Sequence, residues 1–362
     1  MIDLLVLLAI VVLGAFGAFE AGVWAMPAGA SGRGPQASGL TPAIAAVGAS
    51  DSPASTPSGG AAAASASPGG AAPSASASTL SPGATPWTAW KPTAPGTITR
   101  FQLPGPWAGG ARNPIPVTVY LPGGYARSGR AYPVIYEAPF SYRSWDKWIG
   151  VKALLDAEMS SGSTPASIVV FAHPARGPYV DTECVNSADG REQVETFYSS
   201  TLVQAIDARF RTVPNAAARS VLGFSQGGYC AAMLVLRHPD VFSTALAISG
   251  YYVAGVHDAQ TPNAWRVFAG NAALEVAYSP LRLVAHLSPT QRAAVLLVLQ
   301  ADPVQRFYGP QYAAMLAAAH GARVPVVAQP LPIPHSWVAV RAALPGMLRA
   351  LAAHEVALGV FG

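Results

Sequence analysis

From Thr97 onward, short uninterrupted runs of Val, Ile, Leu and Phe alternate with longer stretches whose apolar residues recur at helical spacing. The runs predict strands over 98–103, 117–121, 134–137, 168–172, 221–224, 244–249, 295–300 and 324–329. The periodic stretches predict helices over 145–159, 191–210, 226–238, 304–320 and 336–354. Pro239 directly after the third of these is a helix stop. The first two strands lie close together, as in a hairpin. The later runs lack alternation, which is the signature of strands buried on both faces of a sheet. Together they predict an α/β fold with a mostly parallel central sheet flanked by helices and an antiparallel start. In such sheets the site lies at the carboxyl ends of the strands.

The first ninety-odd positions read differently. Residues 4–19 are apolar or small without a break, and the run extends to Met26 interrupted only by Glu20. As a helix it spans roughly 34 Å, enough to cross a bilayer. Residues 1–26 are therefore expected to form an apolar helix, a transmembrane anchor or a signal segment, with the rest of the chain exported. Residues 27–96 are mostly Ala, Ser, Gly, Pro and Thr and carry only Arg33, Asp51 and Lys91 as charges. That composition buries too little apolar surface to offset chain entropy and predicts a disordered linker. The catalytic domain is then 97–362, and the expected location is extracytoplasmic and membrane-anchored, with secretion as the alternative.

Charge narrows the partners. The 362 residues hold 22 Lys and Arg against 18 Asp and Glu, a net charge of +4, with no basic block and no basic-aromatic strip. Nucleic acid is not an expected partner. No metal-ligand cluster and no dinucleotide-type glycine loop appears, so neither metal nor cofactor is expected. The spacing of Cys184 and Cys230 excludes a C-x-x-C redox site; in an exported chain they form either one disulfide or two separate buried thiols.

The chemistry is carried by Gly223-Phe224-Ser225-Gln226-Gly227, which follows the apolar run Ser220-Val221-Leu222 and opens a helical pattern. Strand, G-x-S-x-G and helix in that order make a turn that exposes a serine at the sheet edge. Ser225 is the expected nucleophile; the competing reading is a serine that caps the next helix. Its base must be a histidine. Among seven, His335 alone sits in a loop between the last predicted strand and the last helix. Asp302, after the strand before it, is the expected acid, with Glu275 and Asp258 as substitutes and helix capping as the other role for Asp302. The backbone amides of Gln226 and Phe140 are the expected oxyanion donors, because Pro139 has no N–H. Glu137 is expected to contact substrate, or else to pair with Arg143 or Lys147. Trp145, with Phe140, Tyr142 and Trp148, forms either an apolar lip for substrate or core.

With these residues in place, the segment 97–354 resembles the esterase family that contains esterase D, feruloyl esterases and the actinobacterial mycolyltransferases. The echoes are Tyr132-Pro133-Val134-Ile135-Tyr136, Glu195-Thr196-Phe197, Gly223–Gly227, His238-Pro239-Asp240-Val241-Phe242, Ser249-Gly250 and His335-Ser336-Trp337. The resemblance implies an α/β-hydrolase fold, a triad of Ser225, Asp302 and His335, and Phe140 as the first oxyanion donor. Many relatives have a His-Gly or Asp-Gly pair after the third strand, where this chain has Glu137-Ala138-Pro139-Phe140. The expected activity is that of an extracytoplasmic serine esterase working through an acyl-enzyme, as a monomer, on an ester or lipid. Its rivals are an acyltransferase acting on a cell-envelope glycolipid and a non-catalytic binding module of the same fold.

Overall fold

The computed structural model describes residues 91–361, apart from 108–109, 111–112, 175–180 and 257–264. The apolar segment 1–26 and the linker up to residue 90 lie outside the described residues. The end of the expected linker is docked rather than loose: Pro92 is buried, and the Gly96 amide donates to Asp156 at 2.6 Å. Among the described residues, no helix is long and apolar enough to cross a membrane.

Eight strands form one sheet: β1 Thr97–Leu103, β2 Ile115–Leu121, β3 Val134–Glu137, β4 Ile168–Ala172, β5 Arg219–Phe224, β6 Thr244–Ile248, β7 Leu296–Ala301 and β8 Val326–Pro330. Their spatial order is β1-β2-β4-β3-β5-β6-β7-β8. The β1–β2 and β2–β4 pairs are antiparallel and the rest parallel. The main helices are α1 Tyr142–Ile149, α2 Val151–Ser161, α3 Val203–Arg209, α4 Gln226–Arg237, α5 Tyr308–Ala322 and α6 Trp337–Ala357.

Alternation within the buried strands divides the core into two layers. On β5, Val221 packs in the layer that holds Tyr136 and most of α4, whereas Leu222 and Phe224 face the layer of Ile135, Trp145 and Leu344. Every residue of β5 is buried.

Two of the departures from the periodicity have a local cause. The helix expected over 145–159 is broken into α1 and α2 at Gly150, which sits at φ 63° and ψ 48° with its amide on the Asp146 carbonyl. That left-handed backbone suits glycine and ends α1. Strand β2 starts two residues earlier than expected, because Pro116 masked a strand position that faces solvent.

Two covalent and ionic ties fix α4 from both ends. Cys184 and Cys230 form a disulfide, both buried, so the alternative of separate thiols falls. Closing a segment with a sequence separation of 46 contributes about 4 kcal/mol in the loop-entropy model. At the other end, Glu195 accepts from Arg237 at 2.6 Å, from Tyr278 at 2.5 Å and contacts His238 at 2.8 Å. Burial alone raises this carboxyl, but those hydrogen bonds reverse the effect and hold it at about 2.

Glu355 on α6 is the opposite case. It is 1 % exposed and neither carboxylate oxygen has a partner, so burial pushes its pKa up to about 8. A carboxyl raised in the folded state binds its proton more tightly there than in the unfolded chain. Stability is therefore greatest below pH 4.5 as far as this group is concerned, and falls as pH rises toward 8. The loss is on the order of 3 kcal/mol by pH 7. Urea unfolding of Glu355→Gln is expected to lack this slope, so that the variant gains on wild type at pH 8 and matches it near pH 4. Parallel pH profiles for the two proteins are the opposing result.

Candidate active site

The turn from β5 into α4 places Ser225 at φ 60° and ψ −120°, a strained conformation for a residue with a side chain. It is held there by its own amide donating to the Ile248 carbonyl at 2.9 Å and by the Gly228 amide donating to its carbonyl at 2.9 Å. The flanking glycines are required by contact rather than by φ. A Cβ on Gly223 would overlap the carbonyls of Gly227 and Ala138, and one on Gly227 would overlap the Ala138 carbonyl. Ser225 stands at the helix N-cap, yet its hydroxyl makes no capping hydrogen bond. The capping reading therefore fails, and the hydroxyl is left for other work. It lies within hydrogen-bond range of the Tyr308 hydroxyl, at 3.5 Å.

His335 follows β8 and arrives between two aromatic rings. It stacks on Phe224 at 4.5 Å and 28°, and on Tyr308 at 4.4 Å and 9°. One wall of the imidazole is thus the residue preceding Ser225, and the other is the tyrosine that reaches the Ser225 hydroxyl. Trp337 closes the cluster against Phe224 and Phe140. The His335 amide donates to Gln305 Oε1 at 3.2 Å. Its Nε2 is buried with no hydrogen-bond partner, and burial lowers its pKa to about 4. The ring is accordingly neutral at physiological pH, the state a general base needs. No hydrogen bond joins Ser225 and His335 directly; they share both neighbours.

The acid is less closely engaged. Asp302 lies just past β7, 6 % exposed, and its Oδ1 accepts the Val304 amide at 3.2 Å. Its carbonyl accepts the Gln305 amide at 3.2 Å, and Gln305 in turn holds His335. No hydrogen bond joins Asp302 to His335. The helix that follows begins at Tyr308 with Phe307 at its N-cap, so the capping role expected for Asp302 is not seen either, and Asp302 is linked through Gln305 only to the His335 backbone. Glu275, in the helix Ala272–Tyr278, bonds through its carbonyl to Ser279 and has its carboxyl against Gly255, with no tie to His335. Asp258 lies outside the described residues.

Three expectations for the loop after β3 need correction. Glu137 is fully buried, its Oε1 accepting the Phe140 amide at 3.1 Å, so it does not line an open cleft and pairs with neither Arg143 nor Lys147. Burial raises this carboxyl well above its ordinary value, against a smaller opposing effect of the adjacent Trp145 indole and the Phe140 amide. The same bond means that the Phe140 amide, expected as an oxyanion donor, is engaged by Glu137. Trp145 is fully buried too, stacked edge-on against Trp337 at 5.5 Å and beside Phe171 at 6.3 Å, which makes it core rather than substrate lip. The Gln226 amide opens α4 immediately after Ser225, while its side-chain Nε2 is buried without a partner.

Tyr308 and Gln305 are site residues that sequence reasoning missed. Both fall in the stretch after Asp302 that reads only as the start of a helix, and no spacing marks them.

The imidazole sets a pH expectation. Because its folded pKa is about 4, below the ordinary 6.5, the base stays neutral through mildly acidic conditions. The acid limb of kcat/KM is expected well below pH 6.5, toward about 4, in an ester-hydrolysis profile. A limb at 6.5 or above contradicts the burial described.

Comparisons with known proteins agree on the fold. An esterase of Mycobacterium tuberculosis is 32% identical over 139 residues, covering 37% of this chain and 28% of that protein. The chain thus matches little more than a quarter of that relative's length. A solved ferulic acid esterase superposes with a TM-score of 0.60 at 18% identity, covering 72% of this chain and 100% of its own. An S-formylglutathione hydrolase from Agrobacterium tumefaciens gives 0.56 at 15% identity, over 72% of this chain and 95% of its own. The family model described as Putative esterase matches residues 110–350. The chain belongs to that family, and its fold is the one these solved hydrolases share.

Proposed function

We propose that the protein hydrolyses a carboxylic ester with Ser225 as nucleophile, His335 as general base and then acid, and Asp302 as the group that orients the imidazole. The Ser225 oxygen bonds to the ester carbonyl carbon while His335 takes the hydroxyl proton. The carbon–oxygen bond to the alcohol then breaks, and His335 returns the proton to the leaving alcohol. Water repeats the sequence in reverse on the acyl-serine and frees the acid. The Gln226 amide, at the start of α4, supplies the oxyanion donor that the elbow provides; the Phe140 amide joins it once it leaves Glu137. The observation that carries this reading is the strained Ser225, whose hydroxyl caps nothing and whose two aromatic neighbours enclose His335.

The reading also places the enzyme outside the cytoplasm, held by residues 1–26 with the linker as tether. The apolar run and the Cys184–Cys230 disulfide support this, since such bonds persist in oxidising compartments. Quenched-flow turnover of p-nitrophenyl esters of short, medium and long acyl chains tests the chemistry. A burst of p-nitrophenol near one per enzyme, with the acyl mass on Ser225, is the expected result. No turnover of any of the three, under conditions where a control esterase works, sinks the proposal. Partition of the acyl group to an added alcohol in preference to water reassigns the enzyme as an acyltransferase.

A further inference from the structure

A cavity of about 630 Å³ opens on the far side of the loop that follows β3. Its lining comes from β1 (Arg100), β2 (Thr118), the loop and first turns of α1 (Ser141, Arg143, Lys147) and the residue after β4 (His173). Arg100, Arg143 and Lys147 give three fixed positive charges against one carboxylate, Asp146. None of the three lies in a salt bridge among the described residues. Arg100 and Lys147 instead lie over the rings of Tyr142 and Trp148. The N-terminal turn of α1 has no acidic residue; Ser141 caps the Ser144 amide, which leaves the amides of Tyr142 and Arg143 as the opening donors without a carbonyl in the helix to accept them. Unpaired cations, a helix N-terminus and a concave wall converge on one space.

The cavity borders the catalytic machinery. The ring of His173 is hydrogen-bonded through Nδ1 to the Pro139 carbonyl, which leaves Nε2 as its remaining polar atom. Pro139 itself packs against the position of Gly227, in the nucleophile elbow. Ser141 adjoins Phe140, which packs on Trp337 beside His335 and Phe224. One short loop therefore separates the cationic cavity from the serine.

We propose that this cavity is an anion subsite that receives a phosphate group carried on the alcohol side of the ester substrate. The proposal rests on the reading of Ser225 as the esterase nucleophile. Arg100 and Arg143 hold the phosphate oxygens from opposite walls, Lys147 adds charge, and the α1 N-terminus completes the set of donors. A phosphate fits better than a carboxylate because three dispersed cations and the helix amides match three acceptor oxygens. A neutral ester uses Ser225 without using the cavity.

The test compares matched pairs on the full chain. In solution the pair is a butyryl ester of glycerol against the same ester of glycerol 3-phosphate. In vesicles it is diacylglycerol against phosphatidic acid in a phosphatidylcholine background. Each is assayed with wild type and with Arg100→Gln/Arg143→Gln, two exposed positions whose change leaves the core intact. The expected result is a preference of about 10-fold or more in kcat/KM for the phosphorylated member. It resides in KM, weakens with added salt, and is lost in the double variant, whose turnover of the neutral ester stays at the wild-type level. Preference in solution alone assigns a free phosphate ester; preference in vesicles assigns a lipid headgroup. Equal kcat/KM within both pairs, or a preference that survives the double substitution, overturns the subsite. Turnover of the neutral ester by wild type reports separately on Ser225, so the two readings fail independently.

Discussion

Ser225→Ala is expected to lower kcat for ester hydrolysis by about 10⁵–10⁶-fold, and His335→Ala by a similar factor. The double variant should be no worse than either single one, because a hydroxyl without its base and a base without its hydroxyl are equally idle. The structure gives a second readout. Ser225 is held at φ 60° and ψ −120°, where a Cβ is strained by about 1–3 kcal/mol. Ser225→Gly relieves that strain and should raise the free energy of unfolding by about 1 kcal/mol or more while abolishing turnover. Ser225→Ala keeps the Cβ and should leave stability nearly unchanged. A rise in stability with loss of activity is the mark of a position whose conformation serves chemistry. A fall in stability for Ser225→Gly marks the turn as an ordinary junction.

Asp302→Asn is the next largest effect, and separates two roles for one residue. The carboxylate accepts the Val304 amide through Oδ1. Asparagine preserves that hydrogen bond, its side-chain oxygen accepting in the same way. If that bond were the whole contribution, activity and melting temperature would both be retained. The triad role predicts otherwise: without a carboxylate to hold the imidazole and stabilise its charged form, kcat falls about 10³–10⁴-fold. KM and stability change little. Gln305 ties the two segments together, its amide on the Asp302 carbonyl and its side chain on the His335 amide. Activity within tenfold of wild type moves the acid elsewhere. Asp258 is then the residue to replace first, since Glu275 is turned toward Gly255.

Much of this arrangement was legible because the signals were strong and local. Unbroken apolar runs such as 168–172 and 221–224 placed strands, since only a strand buried on both faces tolerates them. Glycine at 223 and 227 marked the elbow, since the Ala138 carbonyl leaves no room for a side chain there. His335 stands out in the sequence by its place between the last strand and the last helix, and the structure sets its ring beside Phe224 and Tyr308. What the chain hid was long-range. Glu137 reads as a charge near the cleft, but the pleat turns it inward, where burial disfavours its charged form and it serves the Phe140 amide instead of a substrate. Trp145 reads as a lip because an aromatic-rich loop has no period; packing against Phe171 and Trp337 decides otherwise. Tyr308 carries no local signal at all. Its position over His335 depends on how α5 enters after β7, a tertiary fact absent from any window of sequence.

The same contrast applies to the Phe140 amide. Sequence named it by eliminating Pro139, which is sound, but could not show that a neighbouring carboxyl already occupies it. Any substrate oxygen that uses that donor must compete with Glu137 for it.

The most direct measurement is covalent labelling by a fluorophosphonate followed by peptide mapping. Wild type is expected to take up one phosphonyl group on Ser225, with labelling suppressed in His335→Ala. A folded wild-type protein that stays unlabelled, or that carries the group on any other residue, contradicts the account at its root.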